Sequence, residues 1–152
     1  MPFTITVDGF REGETIPRIH TCEGADVSPS ITWTGEPSGT RSFALIVDDP
    51  DAPAGTWNHW LLWDIPAAVH TLASNFRPGT AGVSGANDFG RPGYGGPCPP
   101  RRHGPHRYYF RLYAIDVESI GLDAGAKRAQ LDRAIEGHIL SESAYMGRYE
   151  RL

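Results

Sequence analysis

Two short blocks of this chain concentrate side chains able to hold an anion or exchange a proton with one. The first is Asp48-Asp49-Pro50-Asp51-Ala52-Pro53, continuing into Trp57-Asn58-His59-Trp60. The second is Gly95-Gly96-Pro97-Cys98-Pro99-Pro100, followed by His106-Arg107-Tyr108. Imidazole N–H, phenol O–H and the amides of a glycine-rich loop are donors fixed before a ligand arrives, which suits a small anion. Carboxylates so near would repel that anion unless they serve another purpose. An aspartate that accepts a hydrogen bond from His59 or His106 fixes the ring's tautomer and favours its protonated form. A second aspartate could accept from a ligand ammonium or hydroxyl. Anion affinity should then fall as pH rises through the histidine pKa.

These groups can meet only if the elements carrying them are neighbours. Strand signals dominate the sequence. Thr4 to Val7 alternates, Ser30 to Trp33 is short and half apolar, and Ser42 to Val47 is apolar enough for a strand buried on both faces. Trp57 to Ile65 is a fourth strand, with Trp57, His59, Leu61, Trp63 and Ile65 on one face by simple alternation. Arg107 to Ile115 is a fifth, with Tyr108, Phe110, Leu112 and Ala114 opposite Arg107, Tyr109, Arg111 and Tyr113. If the fourth and fifth strands share a sheet, Asp49, Asp51, His59, His106 and Tyr108 converge on one pocket mouth. Residues 66–106 hold a long Gly- and Pro-rich stretch, whose prolines stiffen it and whose glycines let backbone amides approach a ligand. One helix is predicted near the C-terminus, from an N-cap at Asp123 through Ala129, Leu131, Ala134, Ile135, His138 and Ile139. Strands followed by a late helix make a mainly β protein, an antiparallel sandwich or barrel with the helix packed on one side.

A chain of 152 residues with 39% hydrophobic side chains supports a single domain, residues 1–152. Its formal charge of −4 gives no reason to expect nucleic acid, which requires a clustered cationic surface. Five arginines between Arg91 and Ile115, with no acid among them, form one candidate anion-attracting surface. The N-terminal residues carry no secretory signature, and the longest aliphatic or aromatic run, Phe43 to Val47, is far short of a membrane span, so a cytoplasmic location is the expectation. Cys22 and Cys98 read as reduced thiols, with a bridge between them as the lesser option. Cys98, flanked by prolines, reads as structural rather than nucleophilic. The four tryptophans read as core, and no metal or cofactor motif is present.

With Asp-Pro-Asp-Ala-Pro, Trp-x-His-Trp and Gly-Pro-Cys-Pro-Pro ahead of His-Arg-Tyr-x-Phe-x-Leu-Tyr-Ala, the chain resembles the phosphatidylethanolamine-binding protein family, in its bacterial Raf-kinase-inhibitor-like branch. The similarity extends through His20-Thr21-Cys22, Ser28 to Trp33, Asn87-Asp88-Phe89-Gly90 and Gly137 to Leu140. The resemblance implies two antiparallel sheets and a small cavity for phosphate-type anions and phosphorylated head groups. By position it implies ligand-binding roles for Asp49, Asp51, Trp57, His59, Gly96, Pro97, Pro100, His106 and Tyr108. It also implies a binding or regulatory protein rather than an enzyme, a homodimer, and a kinase or protease as partner. A hydrolase acting on a phosphorylated or acyl substrate through the Asp/His pocket is the alternative. Arg102 stands where the family usually has a glycine, which bears on the shape and charge of the rim.

Overall fold

Residues 42–49 lie at the centre of the protein because only an interior strand can bury eight consecutive side chains. In the computed structural model, which describes residues 1–152, all eight positions of this strand are buried. In chain order the strands are β1 (Thr4–Val7), β2 (Ile31–Thr34), β3 (Ser42–Asp49), β4 (Trp57–Pro66), β5 (Thr71–Leu72), β6 (Val83–Ser84), β7 (His106–Ile115) and β8 (Ile139–Tyr149). The single α-helix, α1, spans Arg128–Ile135. The strands form a five-stranded sheet, β6-β4-β3-β7-β8, and a three-stranded sheet, β1-β2-β5, each antiparallel.

Ile5, Val7, Ile31, Trp33 and Leu72 of the small sheet pack against Phe43, Leu45, Trp60, Leu62, Phe110 and Leu112 of the large one. The opposite face of the large sheet is covered by α1, whose Leu131 and Ile135 meet Ala44, Ile46, Leu61 and Trp63. The expected two-sheet β architecture with a helix on one side is therefore present, and β3 is buried because it has a layer on each side. Trp33, Trp60 and Trp63 are core residues, with no exposed surface beyond 1%.

Three sequence expectations need correction. The first concerns β4, which does not alternate simply, because it carries an extra residue at two points against β3. Val47 and Asp48 oppose Trp60 and Asn58, leaving His59 as the bulged residue; a second shift falls between Leu62 and Ile65, where Asp64 has φ 52°. The bulges send Trp60, Leu62 and Ile65 to the inter-sheet core and Leu61 and Trp63 to the helix side, so the five residues predicted to share a face do not. The second concerns the helix, which starts after Lys127 rather than Asp123, with the Gln130 side chain accepting the Lys127 N–H at 2.9 Å. It stops before His138 and Ile139, since Gly137 takes φ 81°, the left-handed conformation that ends helices, and the chain enters β8. The third concerns Cys22 and Cys98, which are joined in a disulfide with Cα atoms 5.4 Å apart across a sequence separation of 76. No helix is long and apolar enough to cross a membrane.

Candidate functional site

β3 and β7 pair directly, Asp48 opposite Tyr109, so the end of β3 and the start of β7 bring Asp49 beside His106 and Tyr108. His106 Nδ1 donates to Asp49 Oδ2 at 2.6 Å, with both side chains at least 96% buried. A carboxylate only accepts, so this contact fixes the proton on Nδ1. The other Asp49 oxygen accepts the Asp51 N–H at 2.8 Å, an Asx turn that sets the Asp-Pro-Asp corner.

His59 reaches the same place through its bulge, its ring 5.2 Å from that of Tyr108. Its Nδ1 donates to the Gly95 carbonyl at 2.6 Å, and Nε2 has no partner within the protein. Burial pushes the His59 pKa below its usual value; the Gly95 carbonyl, followed by Asp49, Asp26 and Asp88, partly opposes this. The expected carboxylate partner thus belongs to His106, while His59 stands as a neutral imidazole held by a carbonyl. The Tyr108 hydroxyl is buried with no hydrogen-bond partner. Burial, and then the charge and close approach of the Asp49 carboxylate, which forms no hydrogen bond of good geometry with it, raise its pKa, so the phenol keeps its proton and remains a donor.

These groups border a cavity of about 210 Å³. Asp49, His59, His106 and Tyr108 supply its polar surface; Ala52, Pro53, Trp57, Phe89, Pro99 and Pro100 supply an apolar mouth, with Cys98 in the wall. A space of this size is comparable with a phosphate carrying a short substituent. Trp57 and Phe89 meet edge to face at 5.6 Å, forming an aromatic lip. Asp88 holds Phe89 there by accepting from the backbone and side chain of Asn58 at 2.6 and 3.1 Å.

Of the nine residues singled out by sequence, Asp49, Trp57, His59, Pro100, His106 and Tyr108 border the cavity, and Asp51, Gly96 and Pro97 do not. Asp51 turns outward to a two-pronged pair with Arg107, Nε and Nη2 each contacting it at 2.8–2.9 Å, and that guanidinium lowers its pKa to about 2. Gly96 and Pro97 stand behind the wall. The Gly96 N–H donates to Asp26 at 2.8 Å, the Pro97 carbonyl accepts from the Cys22 N–H at 3.1 Å, and the Gly95 N–H is bound to the His59 carbonyl. The loop amides expected as anion donors are thus consumed by the protein, because the 18–27 segment and β4 need them. Gly96 is nonetheless obligatory, since a Cβ there would lie 2.1 Å from the His20 carbonyl oxygen.

Two of the five arginines of the expected surface, Arg107 and Arg111, are neutralised by acids. Arg107 is held by Asp51, and Arg111 shares buried Asp48 with Arg128, at 3.1 and 2.9 Å. Arg91 lies over the Phe89 ring. Arg102 adopts φ 63°, the left-handed conformation that a glycine takes without strain. Sequence reasoning did not place Phe89, Asp26 or His103 at the site. Phe89 falls in the Asn87-Asp88-Phe89-Gly90 block, but no role follows from that block alone, and Asp26 meets Gly96 far along the chain with no local signature. His103 Nδ1 lies 2.6 Å from His106 Nε2, a pairing that depends on the turn between them.

Comparison with known proteins agrees with this fold. The family model described as phosphatidylethanolamine-binding protein matches residues 6–150. A UPF0098 protein of Aquifex aeolicus is 50% identical over 145 residues, covering 93% of this chain and 85% of the relative. The crystal structure of Escherichia coli YbcL, described as a new member of the mammalian PEBP family, superposes with a TM-score of 0.92 at 36% identity, covering 99% of both chains. A putative phosphatidylethanolamine-binding protein homologue from Chlamydia trachomatis gives 0.90 at 35% identity, with 99% and 98% covered.

Proposed function

Since the chain belongs to the phosphatidylethanolamine-binding protein family, we propose that it binds a small phosphate-type anion or phosphorylated head group in the Asp49–His59–His106–Tyr108 cavity and acts as a regulatory binding protein. The observation that carries this reading is the buried, unpartnered Tyr108 hydroxyl beside the free Nε2 of His59. A buried donor without a partner costs about 1–3 kcal/mol, and an anion oxygen in the cavity would relieve it. Neutral His59 takes up a proton as the anion arrives, since the incoming negative charge reverses the balance set by burial. The aromatic lip of Trp57 and Phe89 suits the ammonium of an ethanolamine substituent.

Binding is favoured over hydrolysis for a chemical reason. Cys98, bonded to Cys22, offers no thiol nucleophile to the cavity, and Asp49 and His106 are already hydrogen-bonded to each other. Both observations support binding, and the turnover assay below tests hydrolysis through the Asp/His pocket. The same bridge favours an oxidising compartment over the cytoplasm expected from the N-terminal residues and the short apolar runs. A second copy of the chain, or a kinase or protease, engaged through the rim around Arg101 and Arg102 completes the regulatory reading.

Calorimetric titration with inorganic phosphate, phosphoethanolamine and glycerophosphoethanolamine tests the proposal. Saturable one-to-one binding, weakening as pH rises and lost in His59→Ala, is the expected result. No heat of binding from any of the three, or steady turnover of a phosphomonoester, would overturn it.

A further inference from the structure

We infer that His103 is a positioning residue of this site, closing an Asp49–His106–His103 chain that carries a proton between the surface and the cavity wall. The His106 ring separates two hollows: the cavity, and a surface depression lined by Asp51, His103, Pro105, Arg107 and Arg148. With Nδ1 committed to Asp49, Nε2 is the remaining nitrogen, and it faces His103 Nδ1 at 2.6 Å with the rings 4.9 Å apart and inclined by 67°. His103 is aimed back at His106 by the left-handed residues on either side of it, Arg102 at φ 63° and Gly104 at φ 84°. Backbone bonds from His103 to the Pro100 carbonyl and from Arg102 to the Arg151 carbonyl pin the turn. His103 itself is exposed.

Two ring nitrogens at this distance hold one proton between them. When His103 carries the positive charge, its Nδ1–H donates to His106 Nε2, and the cation faces solvent. When that proton crosses, one N–H bond breaks on His103 and one forms on His106; the cation then stands at the cavity wall with Nε2–H donating to His103. Asp49 favours the inner position, whereas Asp51 from the β3–β4 turn is already neutralised by Arg107 on β7. Arg148 and Tyr149 on β8 and Arg151 beyond it flank the pair; the two arginines oppose a second positive charge. Tyr108, stacked 6.5 Å from His106 on the cavity side, keeps its proton and adds no charge. An anion in the cavity is what draws the proton inward, so this inference rests on the anion-site reading for its functional consequence.

Two measurements separate the inference from that reading. Imidazole ¹⁵N spectra of the unliganded protein should show coupling across one shared proton between His103 Nδ1 and His106 Nε2. Saturation with inorganic phosphate should move the one-bond coupling onto His106. The affinity for inorganic phosphate, followed from about pH 5 to 8 where imidazole changes charge, should fall at a pH about one unit lower in His103→Ala, a tenfold loss above it. His103→Asn, whose amide oxygen can accept from Nε2–H, should recover most of that loss. If alanine disturbs the turn, Asn against isosteric Leu makes the same distinction. Phosphate binding with an unshifted pH profile in folded His103→Ala, or no shared-proton coupling, overturns the inference. If wild-type protein binds no phosphate, the anion-site reading falls, and the coupling alone decides whether the chain exists.

Discussion

The Tyr108 hydroxyl separates a binding site from a structural cluster, because the two readings predict opposite signs. If the hydroxyl waits for a ligand, Tyr108→Phe removes a buried unpaired donor, so thermal unfolding should show stability unchanged or raised by up to about 1 kcal/mol. Phosphate affinity should fall by about 1–3 kcal/mol in the same variant. A loss of both would mark Tyr108 as scaffold. Arg102 is a second residue at which local conformation predicts a sign. A non-glycine side chain at φ 63° is strained, so Arg102→Gly should raise stability by about 1 kcal/mol in denaturant titration while keeping its backbone bond to Arg151. Asp48 shows how neighbours with the same chemistry part company. Being on the opposite face of β3 from Asp49, it is buried against Arg111 and Arg128 and ties α1 to the sheet.

At the scale of elements, the site is made by one register and one bulge. Antiparallel pairing of β3 with β7 brings Asp49 to His106, and both strands were readable from the sequence: β3 as a continuous apolar run, β7 as a clean alternation. The bulge at His59 was not readable, because an extra residue in a strand leaves no mark in a pattern of apolar types when both faces are apolar. β8 was hidden for the opposite reason. As an edge strand with many exposed residues it has little periodicity, and its first residue extended the apparent helical pattern past Gly137. The 94–100 loop proved to be a wall braced from behind, and Gly96 is its tightest point. Gly96→Ala should therefore cost more than about 3 kcal/mol or abolish folding, as read by chemical denaturation, since a backbone carbonyl occupies the space a Cβ needs.

At the scale of the whole molecule, the chain closes on itself through residues far apart in sequence. The 18–27 segment grips the cavity wall by the Cys22–Cys98 bridge, the Asp26–Gly96 bond and the Tyr94 hydroxyl on the His20 carbonyl, at 2.6 Å. Composition could not reveal the bridge, because two cysteines 76 residues apart pair only once the fold places them together. A closed loop of that length stabilises by up to about 4 kcal/mol through the unfolded chain. Reduction, or Cys22→Ser with Cys98→Ser, should lower the unfolding temperature and leave secondary structure intact by circular dichroism. Six of the nine residues that the family blocks singled out border the cavity, whereas the outward turn of Asp51 followed from an ion pair with Arg107 that spacing does not encode. The central claim is that an anion in the cavity takes its hydrogen bonds from His59 and Tyr108. It is tested most directly by the His59 Nε2 ¹⁵N resonance during titration with inorganic phosphate. That resonance should move from the unprotonated to the protonated position as phosphate saturates; an Nε2 signal unmoved at saturation would rule out His59 as a donor to the anion.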